Sequence, residues 1–336
     1  ADQLDSRSVR EILEAFGQAN LHDQIFELLC ELGDVSSKIQ GEAIRGMGEL
    51  LRNRALSCIV SWLDLGITLT QASGALGLRY FKESPGILGY WGPSSKIQGL
   101  LGMVLELADG PLETAPQCAY EYFKVLSEFS PDVSMPELQQ WAALGFELAG
   151  WDYVLGNEFF RECPKIQRAI PLELAKGWTG FGMKLMVQNS LGKPDYIGTL
   201  EFFRSSPGLF SEIQETEVKG RVIDLGNTLA DRSPEQAVLF LAEAPGMLSS
   251  LPSEEWKTRV LKFGLLLADR DPESVLAYCR RVSEVIQCST TEDTSVFDNW
   301  FSQGTEALEY SLEAGRACFG METGKACVAV GEAMTG

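Results

Sequence analysis

Histidine is nearly absent: His22 is the one histidine in 336 residues. Ser-His-Asp triads, H-E-x-x-H zinc sites and His-rich metal centres all need imidazole as base or ligand, so these chemistries are close to excluded. The eight cysteines form no C-x-x-C pair. Cys279/Cys288 and Cys318/Cys327 are each nine residues apart, outside zinc-knuckle spacing. Cys30 and Cys58 sit in the apolar stretches Leu28-Leu29-Cys30 and Cys58-Ile59-Val60, as buried small hydrophobes do. The expectation is eight reduced thiols, no disulfide, no bound metal and no cofactor. No apolar stretch reaches the roughly 18 residues that cross a bilayer, because a charged side chain interrupts each candidate. The opening Ala1-Asp2-Gln3 lacks the basic start and apolar centre of a signal peptide. A cytoplasmic protein with no membrane partner is the reading. Basic clusters are also missing. The net charge is −19, from 28 Lys and Arg against 47 Asp and Glu. That excludes a phosphate-binding face, and with it nucleic acid as a partner. The acid is spread along the chain; it confers solubility, and its functional reading is steering toward a basic partner surface.

What the sequence does have is a repeat. Trp62–Gly66, Trp141–Gly145, Trp178–Gly182 and Trp300–Gly304 each place a tryptophan four residues before a glycine. Val222–Gly226 and Val260–Gly264 put valine in the tryptophan slot, and Gly102 marks a degenerate copy. Downstream of each glycine lies an aromatic pair or its relic: Tyr80-Phe81, Tyr122-Phe123, Phe159-Phe160, Phe202-Phe203, Phe240-Leu241, Tyr278-Cys279 and Cys318-Phe319. The step from glycine to the second residue of the pair is 15 positions in five units and 21 in the other two. Pro85, Pro164, Pro207 and Pro245 each follow a pair by four residues, preceded by Ser84, Cys163, Ser206 or Ala244. These landmarks define seven units of about 40 residues.

Each unit reads as two helices. Trp141, Leu144, Gly145 and Leu148 stand at i, i+3, i+4 and i+7, the apolar stripe of the first. Ser233-Pro234-Glu235 and Asp271-Pro272-Glu273 open the second, with a capping oxygen, a proline at the first helical position and an acid in the first turn. The Ser-Pro or Cys-Pro step is expected to break or sharply kink that helix, since proline removes a backbone donor. The mid-helix glycine costs roughly 1 kcal/mol against alanine, and its recurrence implies a neighbouring helix at close approach. Helix pairs that cannot bury their own apolar faces stack into an α-solenoid. The expected architecture is all-α: residues 1–60 form an N-terminal helical cap, with helices at Ser6–Leu32 and Gly41–Cys58, and residues 61–336 form the repeat array. The longer units carry six-residue insertions near 110–116 and 190–195, projecting from the helix-connection rim.

Catalytic motifs fail when tested. Gly320-Met321-Glu322-Thr323-Gly324-Lys325 has its glycines one position too close for a phosphate loop, with Ala326 where Ser or Thr is needed. Asp293-Thr294-Ser295 starts like a metal-ion adhesion motif, but Phe297 replaces the second serine. Glu254-Glu255 lies at a helix start, where the dipole accounts for it.

The units written Trp-x-x-x-Gly and then Phe-Phe-Arg-x-Ser/Cys-Pro resemble the helical repeats that precede the von Willebrand A domain in NorD-type nitric-oxide-reductase activation proteins. The rubisco-activase adaptor CbbO is a relative of those proteins. The last unit matches best, with Trp300 and Gly304 followed by Glu313-Ala314-Gly315-Arg316-Ala317-Cys318-Phe319. Cys318 stands where the family has Tyr, and Thr323 where it has Ser. The resemblance spans about residues 60–336 and excludes the A domain, so no metal chemistry carries over to a residue here. It implies an adaptor whose partner is a MoxR-type AAA+ ATPase engaged in metalloenzyme or rubisco activation.

The resulting expectation is a non-enzymatic helical scaffold that docks a protein partner. The alternative is a helical module holding a small apolar ligand in a groove lined by the repeated aromatics; tryptophan and phenylalanine at helical spacing are more often core. Trp91 and Trp151 stand outside the repeat template, beside Gly92-Pro93 and Gly150, and are the candidate protein-binding anchors. The competing reading has them plugging gaps between units.

Overall fold

The chain adopts an all-α helical-repeat fold in a computed structural model that describes residues 19–52, 54–91, 93–130, 132–188, 194–288 and 295–318. It divides into two compact units, Ala1–Lys165 and Ile166–Gly336. Helices of the first unit are α1 (Ala19–Val35), α2 (Ser37–Leu50), α3 (Leu56–Ala72), α4 (Gly74–Tyr90), α5 (Ser94–Ala108), α6 (Ala115–Val125) and α7 (Met135–Trp151). The boundary falls within α8 (Tyr153–Ala169). The second unit has α9 (Leu172–Lys184), α10 (Ile197–Ser211), α11 (Thr216–Arg232), α12 (Pro234–Ser250), α13 (Glu254–Ala268), α14 (Pro272–Cys288), α15 (Ser295–Tyr310) and α16 (Leu312–Cys318). A small antiparallel pair, β1 (Val187–Gln188) and β2 (Pro194–Asp195), brackets the second insertion, most of which lies outside the described residues. The first insertion forms the α5–α6 connection.

Within each unit the two helices of a pair pack on one another, and each also packs on the matching helix of the next pair. In the first unit α1, α3, α5 and α7 form one layer, and α2 packs on α4 and α4 on α6 in the other. In the second, α9, α11 and α13 stack, as do α10, α12 and α14. The N-terminal pair differs from the expected cap helices. Residues 6–18 lie outside the described residues, and the Gly41–Cys58 stretch is split where α2 ends at Leu50 and α3 begins at Leu56.

The template positions account for the core. Trp62, Trp141 and Trp178 are fully buried, as are Phe81, Phe160 and Phe203, the second members of their pairs. A Cβ on Gly66 would overlap the Phe81 ring, one on Gly145 the Phe160 ring, and one on Gly182 would stand 2.8 Å from Phe203. The glycine is therefore a socket for an aromatic ring of its own repeat, and no neighbouring backbone occupies the space. In the unit with Leu241 in place of that ring, Gly226 instead receives Phe181 from the preceding repeat. Backbone approach does occur, three residues before the pair: a Cβ on Gly77 would lie 2.9 Å from Thr70 Cα, and one on Gly156 2.9 Å from Ala149 Cα. That second glycine lets the helices of a pair touch at their shared corner.

The residue before the proline answers to the tryptophan. Trp62 Nε1 donates to Ser84 Oγ at 2.6 Å, and Trp178 Nε1 to Ser206 Oγ at 2.9 Å. Where valine replaces tryptophan, at Val222 and Val260, the matching positions are Ala244 and Val282 and offer no hydroxyl. A buried indole N–H needs an acceptor, and serine supplies it in these two units; in the Trp141 unit the matching residue is Cys163, whose thiol donates to Phe160 O, and Trp300 Nε1 donates to the Cys318 carbonyl.

The prolines do not end their helices. Pro85, Pro164, Pro207 and Pro245 all lie inside α4, α8, α10 and α12. Proline frees the carbonyl four residues back, and in α8 that carbonyl, of Phe160, accepts from Cys163 Sγ at 3.2 Å. Packing outweighs the remaining penalty, with Pro164 and Pro207 buried. The expected helix starts at Pro234 and Pro272 hold. Ser233, however, donates its hydroxyl to Glu235 at 3.2 Å, and Asp271 pairs with Arg316.

Candidate functional site

One-residue linkers join the helices of a pair: Ser36 between α1 and α2, Ser73 between α3 and α4, Asp152 between α7 and α8. Asp152 earns its place by capping. Its Oδ1 accepts from Val154 N at 2.7 Å and Leu155 N at 3.4 Å, which fixes the start of α8. The corner thereby holds Trp151 and Val154 outward; they are 68% and 53% exposed. A cleft of about 160 Å³ lies between successive corners of the first unit, lined by residues including Leu76 and Arg79 of α4, Gln117 and Glu121 of α6, and Tyr153. Leu112, in the first insertion, reaches within 3.9 Å of where a Cβ on Gly150 would stand.

The two tryptophans outside the template part company. Trp151 is the last residue of α7 and is exposed, as a docking anchor must be. Trp91 is 1% exposed and belongs to the core, which corrects its assignment as a surface anchor. It follows the last residue of α4, where Arg54 donates to the Leu88 and Trp91 carbonyls at 3.1 and 3.0 Å. Tyr90 meets its ring edge-on at 5.8 Å, and Lys96 Nζ stands 4.5 Å from the ring centroid. A large apolar ring between helices with no periodic partner is drawn inward by the area it removes from water.

Charge is unevenly divided between the layers of the first unit. Helices α1, α3, α5 and α7 carry Asp23, Glu27, Glu31, Asp34, Asp64, Glu106, Glu137 and Glu147 against Lys96, the one Lys or Arg on these four helices. Lys96 is itself engaged, donating to Val133 O at 3.2 Å. Partial burial, with the nearby Glu31 carboxylate, raises the Asp64 carboxyl above its ordinary value. The other layer holds the cations, Arg161 and Lys165 among them, paired with Glu158 at 2.8 Å and Glu162 at 2.6 Å. Glu158 and Glu162 are buried while their cationic partners are exposed, so these cations are neutralised where they stand.

In the second unit a cavity of about 440 Å³ runs between α12 and α14, bordered by residues including Phe240, Met247, Leu276, Cys279 and Ser283. Glu243 and Arg280 cross its mouth as a two-point ion pair, which holds the Glu243 carboxyl below its ordinary range. Burial pushes the Cys279 thiol up to about 12, so it is a protonated core group and no nucleophile. The other thiols divide by helix face. Cys58, Cys118 and Cys163 are buried; Cys30 is exposed, against expectation, because Ile25, Leu29 and Leu32 define the inward stripe of α1 and Cys30 lies off it. Among the described residues no cluster of three His, Cys, Asp or Glu is placed to hold a metal, and no helix is long and apolar enough to cross a membrane.

The Gly320–Lys325 stretch and the Asp293–Ser295 motif lie almost wholly outside the described residues. The corner glycines Gly77 and Gly156 were legible in the sequence as a second small residue at fixed spacing, but the tryptophan register drew attention away from them. Comparison with family models, curated proteins and solved structures returned no match.

Proposed function

We propose that this chain is a non-enzymatic helical-repeat scaffold that docks a protein partner. The observation carrying this reading is the exposed Trp151–Val154 corner, in a chain that buries three of its four template tryptophans, Trp62, Trp141 and Trp178, completely and the fourth, Trp300, in part. Hiding a tryptophan stabilises a fold by roughly 3 kcal/mol or more, and exposed tryptophan anchors are characteristic of interface centres. The repeated aromatics are spent on packing: Trp62 on Phe81 at 5.0 Å and Trp178 on Phe203 at 5.0 Å. That leaves them in the core and favours docking over a ligand groove lined by the template. The strongly raised thiol and phenol groups of Cys163, Tyr80 and Tyr278 owe their shifts chiefly to burial, which is a packing signature.

The resemblance to NorD-type repeats adds a candidate partner, a MoxR-type AAA+ ATPase, and a cytoplasmic setting. The test is affinity capture in the native host with the wild-type chain and Trp151→Ala, followed by reconstitution with the purified ATPase. Capture of a stoichiometric partner that the variant loses supports docking at this corner. Equal capture by both proteins moves the docking surface elsewhere.

A further inference from the structure

The docking reading leaves the partner's chemistry open, and the first unit supplies it. We propose that the acidic layer formed by α1, α3, α5 and α7 receives a basic segment of a partner protein, one Lys or Arg of which stacks on the exposed indole of Trp151. This inference rests on the docking reading.

Two observations converge on it. The first is the ring. Trp91 and Trp256 each have a cation from this chain over the indole, Lys96 at 4.5 Å and Arg259 at 4.8 Å. Among the described residues no Lys or Arg covers Trp151, which is 68% exposed. A tryptophan face attracts a cation more strongly than any other ring does. The second is the charge around it. Glu147 lies one turn before Trp151 on α7, Asp152 follows it, and the insertion that reaches Gly150 contributes Glu113. Across the layer, burial first and then the Glu31 carboxylate on α1 raise the Asp64 carboxyl on α3. Like charges packed side by side without cations are relieved by a basic partner, which also gains in association rate.

A second copy of this chain is a poorer occupant. Its net charge of −19 repels another copy, and Arg161 and Lys165 are already neutralised by Glu158 and Glu162.

The test uses the full chain and three fluorescein-labelled peptides of equal length: Lys/Arg/Leu, Glu/Leu and Ser/Leu. Fluorescence anisotropy at 0.15 M salt should give saturable binding of the basic peptide only. Trp151→Ala should weaken it about tenfold, the loss of one desolvated cation–ring contact, and Trp151→Phe by less. Glu113→Lys with Glu147→Lys should weaken it further. The same reversal at exposed sites of the second unit, Glu212→Lys with Glu255→Lys, should leave it unchanged. Equal loss from both double variants would mean diffuse attraction and overturn the proposal. If the neutral or acidic peptide binds and depends on Trp151, docking stands and the basic occupant is wrong. Binding of the basic peptide untouched by every corner variant would sink both. A dimer in sedimentation that Trp151→Ala dissolves would replace the basic segment with a second copy.

Discussion

Replacing Gly145 by alanine should destabilise the first unit, although the same change in an ordinary helix interior stabilises by roughly 1 kcal/mol. The reason is the socket. Gly145 is buried in α7, and a Cβ there would overlap the Phe160 ring, which is itself fully buried against Tyr122 at 5.2 Å and Phe146 at 5.8 Å. The ring has two ways out. Moving off its rotamer within a close-packed core costs about 1–3 kcal/mol, and leaving the core altogether about 3–5 kcal/mol. After subtracting the helix-propensity gain of about 1 kcal/mol, the expected loss is up to about 2 kcal/mol if the ring shifts and about 2–4 kcal/mol if it leaves, a fall of up to about 16 °C in the first unit's midpoint. Gly102 is the internal control. It occupies the same repeat position in α5, but nothing stands within 4 Å of a Cβ built on it. Gly102→Ala should therefore raise stability by up to about 1 kcal/mol. Thermal and urea melts followed by circular dichroism read both signs. A third variant isolates the cause. In a Phe160→Ala background the obstruction is gone, so adding Gly145→Ala should turn from harmful to neutral or favourable. If Gly145→Ala stabilises the wild-type chain as Gly102→Ala does, the socket account is wrong.

Three further outcomes can be measured. Ser84→Ala should cost about 1–3 kcal/mol by stranding the buried Trp62 indole N–H; with Trp62→Phe already present the same change should cost little, and an equal cost in both backgrounds would refute the pairing. Trp91→Ala should destabilise by about 3–5 kcal/mol, seen as a lower melting midpoint, whereas an unchanged midpoint would return Trp91 to the surface. Thiol labelling with iodoacetamide at pH 8, read by peptide mass spectrometry, should modify exposed Cys30 and spare Cys58, Cys118, Cys163 and Cys279 until denaturant is added. Cys279, raised to about 12, stays protonated at that pH and becomes reactive only as pH rises through that value or the fold opens, so labelling it as fast as Cys30 would show that it is not core.

The sequence by itself determined the helix pair and its core positions. A stripe at i, i+3, i+4 and i+7 has one low-energy way to hide, and Trp62, Trp141, Trp178 and the first six aromatic pairs lie buried where that pattern placed them, while Phe319 of the seventh lies outside the described residues. Pro234 and Pro272 begin helices as their local chemistry requires. Four other matters depended on what lies across the gap, which no local pattern specifies. Internal prolines were read as helix breaks, yet α4, α8, α10 and α12 run through them because packing outweighs the lost donor. The recurrent glycine could have admitted backbone or ring; only the fold shows Phe160 seated at Gly145 and Phe181 at Gly226. Trp91 and Trp151 look alike in sequence, each beside a glycine outside the template. One is 1% and the other 68% exposed, because Arg54 and Lys96 arrive from other repeats to enclose Trp91 while Asp152 turns the chain away behind Trp151. The division of charge between layers is tertiary too, since the acids are spread along the chain and only the stacking of alternate helices gathers those of α1, α3, α5 and α7 onto one side.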